Sequence, residues 1–449
     1  MKEVHKASVS SNKGMNRRRF LGSAGAALAG LSITGRPRLL AGQSGQPKST
    51  PKIKIKEYRT LGRTGFKASD ISLGGGAIND PTLLETALDS GINYIDAAEN
   101  YYNGQVERVI GKVLKNRDRK SVFISTKLYI AKDVSKESLL GRARKCLERL
   151  QTDYVDCMMM HCPPNAATLK TEGFHEMIKE LKAEGRVRYA GLSQHGAQWN
   201  DVQETMEQVL SAAAEDGRFD VALFVYNFLQ TEMGERVLKL YKDKNIGTTI
   251  MKANPVGTYS FIEGEFEKGK KEGQKIEPAM TALLDRVRGV ADQAKAFMKK
   301  RNLMNTAEIR SAAYRFVLAN PNVNTVCCTI GNYDDLESYI SLSGTKLTST
   351  DASRLDAYGE TFGQLYCRHA CGRCESKCPH GVPVNTIMRY QHYFCSQGRE
   401  KYAMAKYSGL TTNKADKCSG CGGHCQAACP YGVPVQGLLV LAHQTLTLA

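Results

Sequence analysis

Eight short apolar runs, recurring about every thirty residues with helical patterns between most of them, constrain this chain more than any other feature. They cover residues 70–74, 92–97, 122–127, 154–161, 187–193, 219–226, 246–253 and 324–330. Runs apolar at successive positions, instead of alternating, belong to strands covered on both faces, and amphipathic stretches such as 82–90, 105–115 and 136–150 supply the cover. Eight alternations predict an α/β fold, a closed parallel (β/α)8 TIM barrel, with an open doubly wound sheet as the alternative. Between 257 and 303 the pattern lapses into a charged stretch that includes Glu263, Glu265, Glu267, Lys268, Lys270 and Lys271. An insertion after the seventh strand would hang over the C-terminal mouth of a barrel, either as a lid or as a solvated excursion.

Beyond the barrel pattern the chain changes character. It carries Cys367-x3-Cys371-x2-Cys374-x3-Cys378-Pro379 and then Cys418-x2-Cys421-x3-Cys425-x3-Cys429-Pro430. Two or three residues between cysteines let successive thiolates turn onto one centre, and the proline stops a regular element after the last ligand. Two quartets, each closed by Cys-Pro, point to two 4Fe-4S clusters, with zinc as the rival because Cys-x2-Cys steps also build tetrahedral thiolate sites. The echo of Cys-Pro-His-Gly-Val-Pro-Val at 378–384 in Cys-Pro-Tyr-Gly-Val-Pro-Val at 429–435 predicts a duplicated half-module. A helix over 349–366, capped at Thr350 or Asp351, would deliver the chain to Cys367. Residues 349–449 are then a small, mainly helical ferredoxin-like iron-sulfur domain that depends on its clusters to fold. Fourth cysteines of bacterial ferredoxins cross over, which would group Cys367, Cys371 and Cys374 with Cys429, and Cys418, Cys421 and Cys425 with Cys378, but the spacings x3-x2-x3 and x2-x3-x3 depart from the common x2-x2-x3 and leave the pairing open. His380, His424 and Cys395 lie near the motifs and are read as packing or surface residues.

The formal charge of +17 among 449 residues resembles a nucleic-acid signal until it is divided. Residues 1–41 hold eight Lys and Arg against one Glu, and the rest is spread without a basic run interleaved with aromatics, so no nucleic acid is expected as a partner. The same N-terminus reads Asn16-Arg17-Arg18-Arg19-Phe20-Leu21-Gly22, followed by a weakly apolar run to Ile33 and small residues near Ala41. That order fits a twin-arginine signal peptide over 1–41 and export, with a periplasmic location expected. The apolar run is too short for the roughly twenty residues of a membrane span. The twin-arginine route carries folded proteins, which agrees with clusters inserted before export. Residues 42–57 read as a linker to a barrel over 58–348.

Four polar residues fall at the ends of successive runs. Asp96 and Tyr101 follow the second, Lys127 closes the third and His161 closes the fourth. Singly each has a bland reading, as a helix cap, a rim charge or a satisfied core histidine. Together they make acid–base chemistry: Lys127 would lower the phenol pKa of Tyr101, Asp96 would hold Lys127, and His161 would orient a carbonyl.

The segments Leu61-Gly62-Arg63-Thr64-Gly65, Asn93-Tyr94-Ile95-Asp96-Ala97-Ala98-Glu99-Asn100-Tyr101 and Ser125-Thr126-Lys127 resemble the aldo/keto reductase family. So do Asp153-Tyr154-Val155-Asp156 through His161 and Gly185-Arg186-Val187-Arg188-Tyr189-Ala190-Gly191-Leu192-Ser193. The resemblance spans about 58–341 and implies that Asp96, Tyr101, Lys127 and His161 are the catalytic set, with Tyr101, not Tyr102, as general acid. It also implies that Ser193, Gln194 and Tyr226 stand where the family holds a nicotinamide, NAD(P). Here the chain departs from the family, with Gln194 for Asn, Leu223 for Gln, and Asp334 and Asp335 where relatives carry basic residues for a 2′-phosphate. Gly74-Gly75-Gly76 is not a dinucleotide fingerprint and is read as room for backbone near the mouth. The tail is similar to the ferredoxin-like extension of one branch of the family.

These readings lead to an exported oxidoreductase acting on a small carbonyl or alcohol substrate, with Tyr101 as general acid/base and two 4Fe-4S clusters relaying electrons to or from a redox protein or a quinone-linked partner. Two alternatives stand beside it: a nicotinamide-dependent reductase with structural clusters, and a non-catalytic electron-transfer subunit.

Overall fold

A computed structural model describes residues 53–131, 134–196, 204–257, 305–410 and 413–447, with scattered positions between 262 and 299. The expected signal over 1–41, most of the linker 42–57 and most of the insertion 257–303 lie outside the described residues.

All eight apolar runs form strands. They are β3 (Ile71–Gly74), β4 (Tyr94–Asp96), β5 (Phe123–Leu128), β6 (Val155–His161), β7 (Val187–Gln194), β8 (Val221–Val225), β9 (Gly247–Met251) and β10 (Thr325–Cys328). They pair in parallel in chain order and close where β10 joins β3 and β9, so the sheet is a barrel and not an open one. Before them lies a hairpin that carries no long apolar run, β1 (Tyr58–Thr60) against β2 (Lys67–Ser69). Its turn brings Leu61, fully buried, against Tyr94, Phe123, Cys157, Met159 and Leu223 inside the barrel. At Gly62 the approach is so close that a β-carbon would stand 2.3 Å from the Gly247 nitrogen. The hairpin therefore plugs the N-terminal end, and chemistry is left to the other end.

Register then sets which side chains meet at the C-terminal mouth. Asp96 lies beside Gly74 on one flank and Ser125 on the other, Lys127 beside Met159, and His161 beside Ser193. Asp96 and His161 end their strands at that level and Lys127 stands one residue short of the end of β5, where β-ladder bonds stop and side chains take over.

The tail is mainly helical, with Ser349–Phe362, Val384–Cys395, Glu400–Ser408 and Val435–Leu446 as its longer elements. The first helix is capped one residue before the expected range, by Thr348: its hydroxyl accepts from the Asp351 nitrogen while the Asp351 carboxylate accepts from the Thr348 nitrogen. This reciprocal pair satisfies two donors at once, which neither Thr350 nor Asp351 could do as cap. The sequence echo is also an echo in backbone. Gly381 and Gly432 both take left-handed φ, at 60° and 62°, and Pro383 and Pro434 each precede a helix starting at the following valine. Leu355, Phe362, Ile387, Leu438 and Leu441 of the tail share one core with Ile309 and Ala312 of the barrel helix Thr306–Ala319. Packing therefore runs on without a break at residue 348, and Thr50–Ala449 form one compact unit.

Candidate active site

The four strand-end residues meet. Lys127 Nζ donates to Asp96 Oδ2 at 2.7 Å and to the Ala97 carbonyl at 2.6 Å, and lies 3.5 Å from the Tyr101 hydroxyl. Ser125 donates to the other Asp96 oxygen at 3.1 Å, so both carboxylate oxygens are occupied. The Tyr101 ring stands edge-on to the His161 ring with centroids 5.9 Å apart. Gly75 makes this packing feasible, because a β-carbon there would sit 2.3 Å from the Asp96 carbonyl and 3.0 Å from the Tyr101 ring. The glycine run thus serves close approach.

Electrostatics depart from expectation at Tyr101. Burial, followed by the Asp96 charge, pushes the phenol well above its ordinary value, whereas Lys127 was expected to lower it. The physical reason is that Lys127 spends its charge on Asp96 at 2.7 Å, and the more distant phenol gains little from it. Burial also raises the Asp96 carboxyl, against the pull of Lys127. His161 moves the other way: burial and then Lys127 hold its imidazole well below the usual range, and its Nδ1 is buried without a partner. A protonated phenol beside a neutral imidazole offers two hydrogen-bond donors to one carbonyl oxygen.

On the other side of the mouth, the side chains that resemble nicotinamide ligands have different employment. The Ser193 hydroxyl accepts from the Cys162 nitrogen at 3.3 Å. Gln194 donates to the Pro163 carbonyl at 2.6 Å and accepts from the Gly196 nitrogen at 2.7 Å. Leu223 lines the mouth with no polar group to offer. Tyr226 does not reach the mouth: its ring is buried against Gly234 and Phe316, and its hydroxyl accepts from Asn320 Nδ2 at 3.2 Å. Asp335 faces its own loop, accepting from Asn332 Nδ2 at 3.0 Å.

A roof from the tail stands over the same mouth. Tyr393, Gln397 and Arg399 line one cavity of about 100 Å³ with Tyr101, His161 and Lys252. Cofactor pockets run from roughly 300 Å³ upward, so a dinucleotide fits here only with those three residues displaced. Among the described residues, those lining this cavity do not fit a nicotinamide as they stand. A larger groove of about 770 Å³ exists at the opposite end, among Lys115, Arg119, Gln151 and Asp153, far from every strand-end residue named above. We place the chemistry in the smaller cavity because the acid–base groups are there.

Around the roof lie groups that no motif announced. Arg389, fully buried, donates to the backbone carbonyls of His195 and Gly196. Lys252 Nζ is 3.4 Å from His369 Nδ1, and burial followed by Arg389 pulls its ammonium well below the ordinary value. His161, Cys162 and His195 bring ring nitrogens and a sulfur within 4.8 Å of one another, but the nearby Arg389 and Lys252 charges oppose a metal cation there. Lys252 falls at the end of the seventh apolar run as Lys127 closes the third, so its place was readable. Arg389 and Arg399 come from the tail, where nothing in sequence relates them to the barrel.

Cysteines of the two motifs come close to one another. Cys367, Cys371, Cys374 and Cys429 line one small cavity. Burial, then Cys425, Cys378 and Cys421, push the Cys418 thiol up to about 12, and Cys425 is pushed up to about 11 by burial and then Cys378. Four thiolates around a single zinc, each about 2.3 Å from it, would lie about 3.8 Å apart. Among the described residues no three of these sulfurs come within 4.8 Å of one another. Backbone Val382 donates to Cys378 Sγ at 3.4 Å and Asn385 Nδ2 to Cys367 Sγ at 3.9 Å. No described helix is long and apolar enough to cross a membrane.

Comparison with known proteins agrees with the barrel. The Aldo/keto reductase family pattern matches residues 72–360, well over half of the chain. The chain is 26% identical over 322 residues to the aldo-keto reductase YhdN of Bacillus subtilis, covering 66% of this chain and 91% of that one. It is 27% identical over 312 residues to a putative voltage-gated potassium channel subunit beta of Schizosaccharomyces pombe, covering 62% and 84%. Among solved structures, the holo form of aldo-keto reductase AKR11C1 from Bacillus halodurans superposes with a TM-score of 0.48 at 20% identity, covering 68% of this chain and 95% of that one. With a barrel closed in the same chain order as its eight apolar runs and a family match across most of that barrel, this chain belongs to the aldo/keto reductase family of oxidoreductases.

Proposed function

We propose that this protein is an exported oxidoreductase that handles a small carbonyl or alcohol at Tyr101 and exchanges electrons through two 4Fe-4S clusters held by its tail. The observation that carries the reading is the shared cavity, in which the acid–base residues of the barrel and Tyr393, Gln397 and Arg399 of the tail enclose one space. Tyr101, kept protonated by burial, donates its phenolic proton to the carbonyl oxygen as that oxygen gains charge. Neutral His161 gives that oxygen a second hydrogen bond, and Lys127, anchored to Asp96, supports the phenol from behind. The tail residues exclude water from the cavity. When bound, the clusters would supply electrons one at a time, each carbonyl taking two electrons and two protons, of which Tyr101 delivers the one to oxygen, and the crossed sets Cys367, Cys371, Cys374, Cys429 and Cys378, Cys418, Cys421, Cys425 would hold them. Tyr366 and His369, with rings 5.6 Å apart, stand between Cys367 and Lys252 at the mouth. Arg17 and Arg18 followed by an apolar run support export by the twin-arginine route.

Anaerobically purified protein should contain about eight iron atoms per chain, and Tyr101→Phe should lose roughly 10²–10⁴-fold in turnover with that iron retained. Zinc in place of iron would remove the relay, and full activity in the phenylalanine variant would move the chemistry away from Tyr101.

A further inference from the structure

Among the described residues, the mouth cavity gathers cations with no free acid to answer them. Lys252 follows β9 and Arg399 precedes the helix Glu400–Ser408, and both line the space that holds Tyr101 and His161. Their charged heads flank one ring, with Lys252 Nζ 5.3 Å and Arg399 Cζ 5.7 Å from the centre of Tyr393. Lys406 lies nearby, its ammonium depressed by burial and then by Arg389 and Arg399. Among the described residues none of Lys252, Arg399 and Lys406 forms an ion pair, and the cavity's own carboxylate, Asp96, is taken by Lys127. Arg399 Nε and His161 Nδ1 are buried without partners. Charge left unmatched in a partly closed cavity is costly until an anion arrives.

Position adds to charge. A β-carbon on Gly76 would meet Arg399 Nη1 at 3.4 Å, while one on Gly75 would meet the Tyr101 ring at 3.0 Å. The guanidinium and the phenol therefore stand over adjacent residues of one loop, a few bonds apart for a ligand lying between them. The cavity of about 100 Å³ is smaller than the roughly 150 Å³ that accommodates benzene, so the ligand is limited to a few heavy atoms.

We propose that the mouth selects a small oxo- or hydroxycarboxylate, its carboxylate gripped by Arg399 and Lys252 while its carbonyl or hydroxyl oxygen faces Tyr101. This deepens the carbonyl-handling reading above and rests on it. The tail, by contributing Arg399, sets specificity as well as closing the cavity, and a barrel lacking the tail would lose the guanidinium.

Calorimetric titration of the anaerobically purified full chain, with pyruvate and its neutral isostere pyruvamide as probes, tests this. Pyruvate should bind roughly tenfold or more tighter than pyruvamide, and Arg399→Gln should weaken pyruvate by roughly tenfold while leaving pyruvamide unchanged. Lys252→Met should weaken pyruvate as well, and Arg399→Lys should restore part of the loss; an unaltered visible spectrum serves as the check on folding. Failure of pyruvate to bind, affinities for the two probes within about twofold, or an Arg399→Gln variant that binds pyruvate like the parent would overturn the proposal. Calorimetry reads binding and not turnover, so the two ideas fail separately. A Tyr101→Phe defect without anion preference sinks only the carboxylate, and anion preference in a chain indifferent to Tyr101→Phe sinks only the carbonyl chemistry.

Discussion

The two sides of the barrel mouth have gone different ways. From β4 to β6, Asp96, Lys127, Tyr101 and His161 point into one cavity and are held there by short contacts to each other. From β7 to β9, Ser193 and Gln194 are bonded to backbone of the loops after β6 and β7, Leu223 offers no polar atom, and Tyr226 faces away. The tail reaches that second side through Arg389 at the His195 and Gly196 carbonyls, and the first side through Arg399 over Gly76. A family barrel can therefore keep its acid–base half while its cofactor half is turned to structure. Such a division makes sense where electrons enter by a route other than a dinucleotide.

The contrast can be broken first at Lys127. Lys127→Met strands the Asp96 carboxylate in a buried site, and removing one partner of such a pair costs about 3–5 kcal/mol. Chemical denaturation of the full chain should show a loss of that order, and turnover should fall with it; a change of less than about 1 kcal/mol would mean that the pair is hydrated like a surface bridge. The same step on the other side should separate stability from chemistry. Gln194→Ala leaves the Pro163 carbonyl and the Gly196 nitrogen without their partner, at a cost of about 1–3 kcal/mol, yet should leave KM for substrate unchanged. A raised KM with unaltered stability would return Gln194 to a binding role.

A smaller effect concerns pH. The folded pKa values of His161 and His195 are depressed by burial first, with Lys127 next for the former and Lys252 for the latter. Below the ordinary histidine value of about 6.5 the unfolded chain takes up protons that the fold refuses, so their contribution is full above that pH and is lost as pH falls toward the folded values. Stability measured between about pH 7 and 5 should decline less steeply in His195→Asn than in the parent. An identical slope in the two would place that imidazole in water.

How much of this was legible follows from range. Continuous apolar runs marked all eight barrel strands, because a strand buried on both faces writes itself locally. The tetrad was legible for the same reason: each member sits at or just past the end of such a run. Tyr226 was misjudged although a local rule could have placed it. Val221 and Leu223 face the barrel interior while Ala222 and Phe224 join the outer core, and Tyr226 continues the outward set. The β1–β2 hairpin escaped because three-residue strands have no pattern. The direction of the Tyr101 shift depended on how Lys127 divides its charge between two partners, which is a matter of distances. Arg399 over Gly76 joins residues more than three hundred positions apart, and only the fold connects them.

The most direct test of the account is a reductive titration of the anaerobically purified full chain, following the visible absorbance of its clusters with dithionite, NADH and NADPH in turn. Bleaching by dithionite alone, with no saturable binding of either nicotinamide, is the result that this division of the mouth predicts. Bleaching and saturable binding with NADPH would contradict it, since the roof would then lift to admit the cofactor that the second side is read here as having given up.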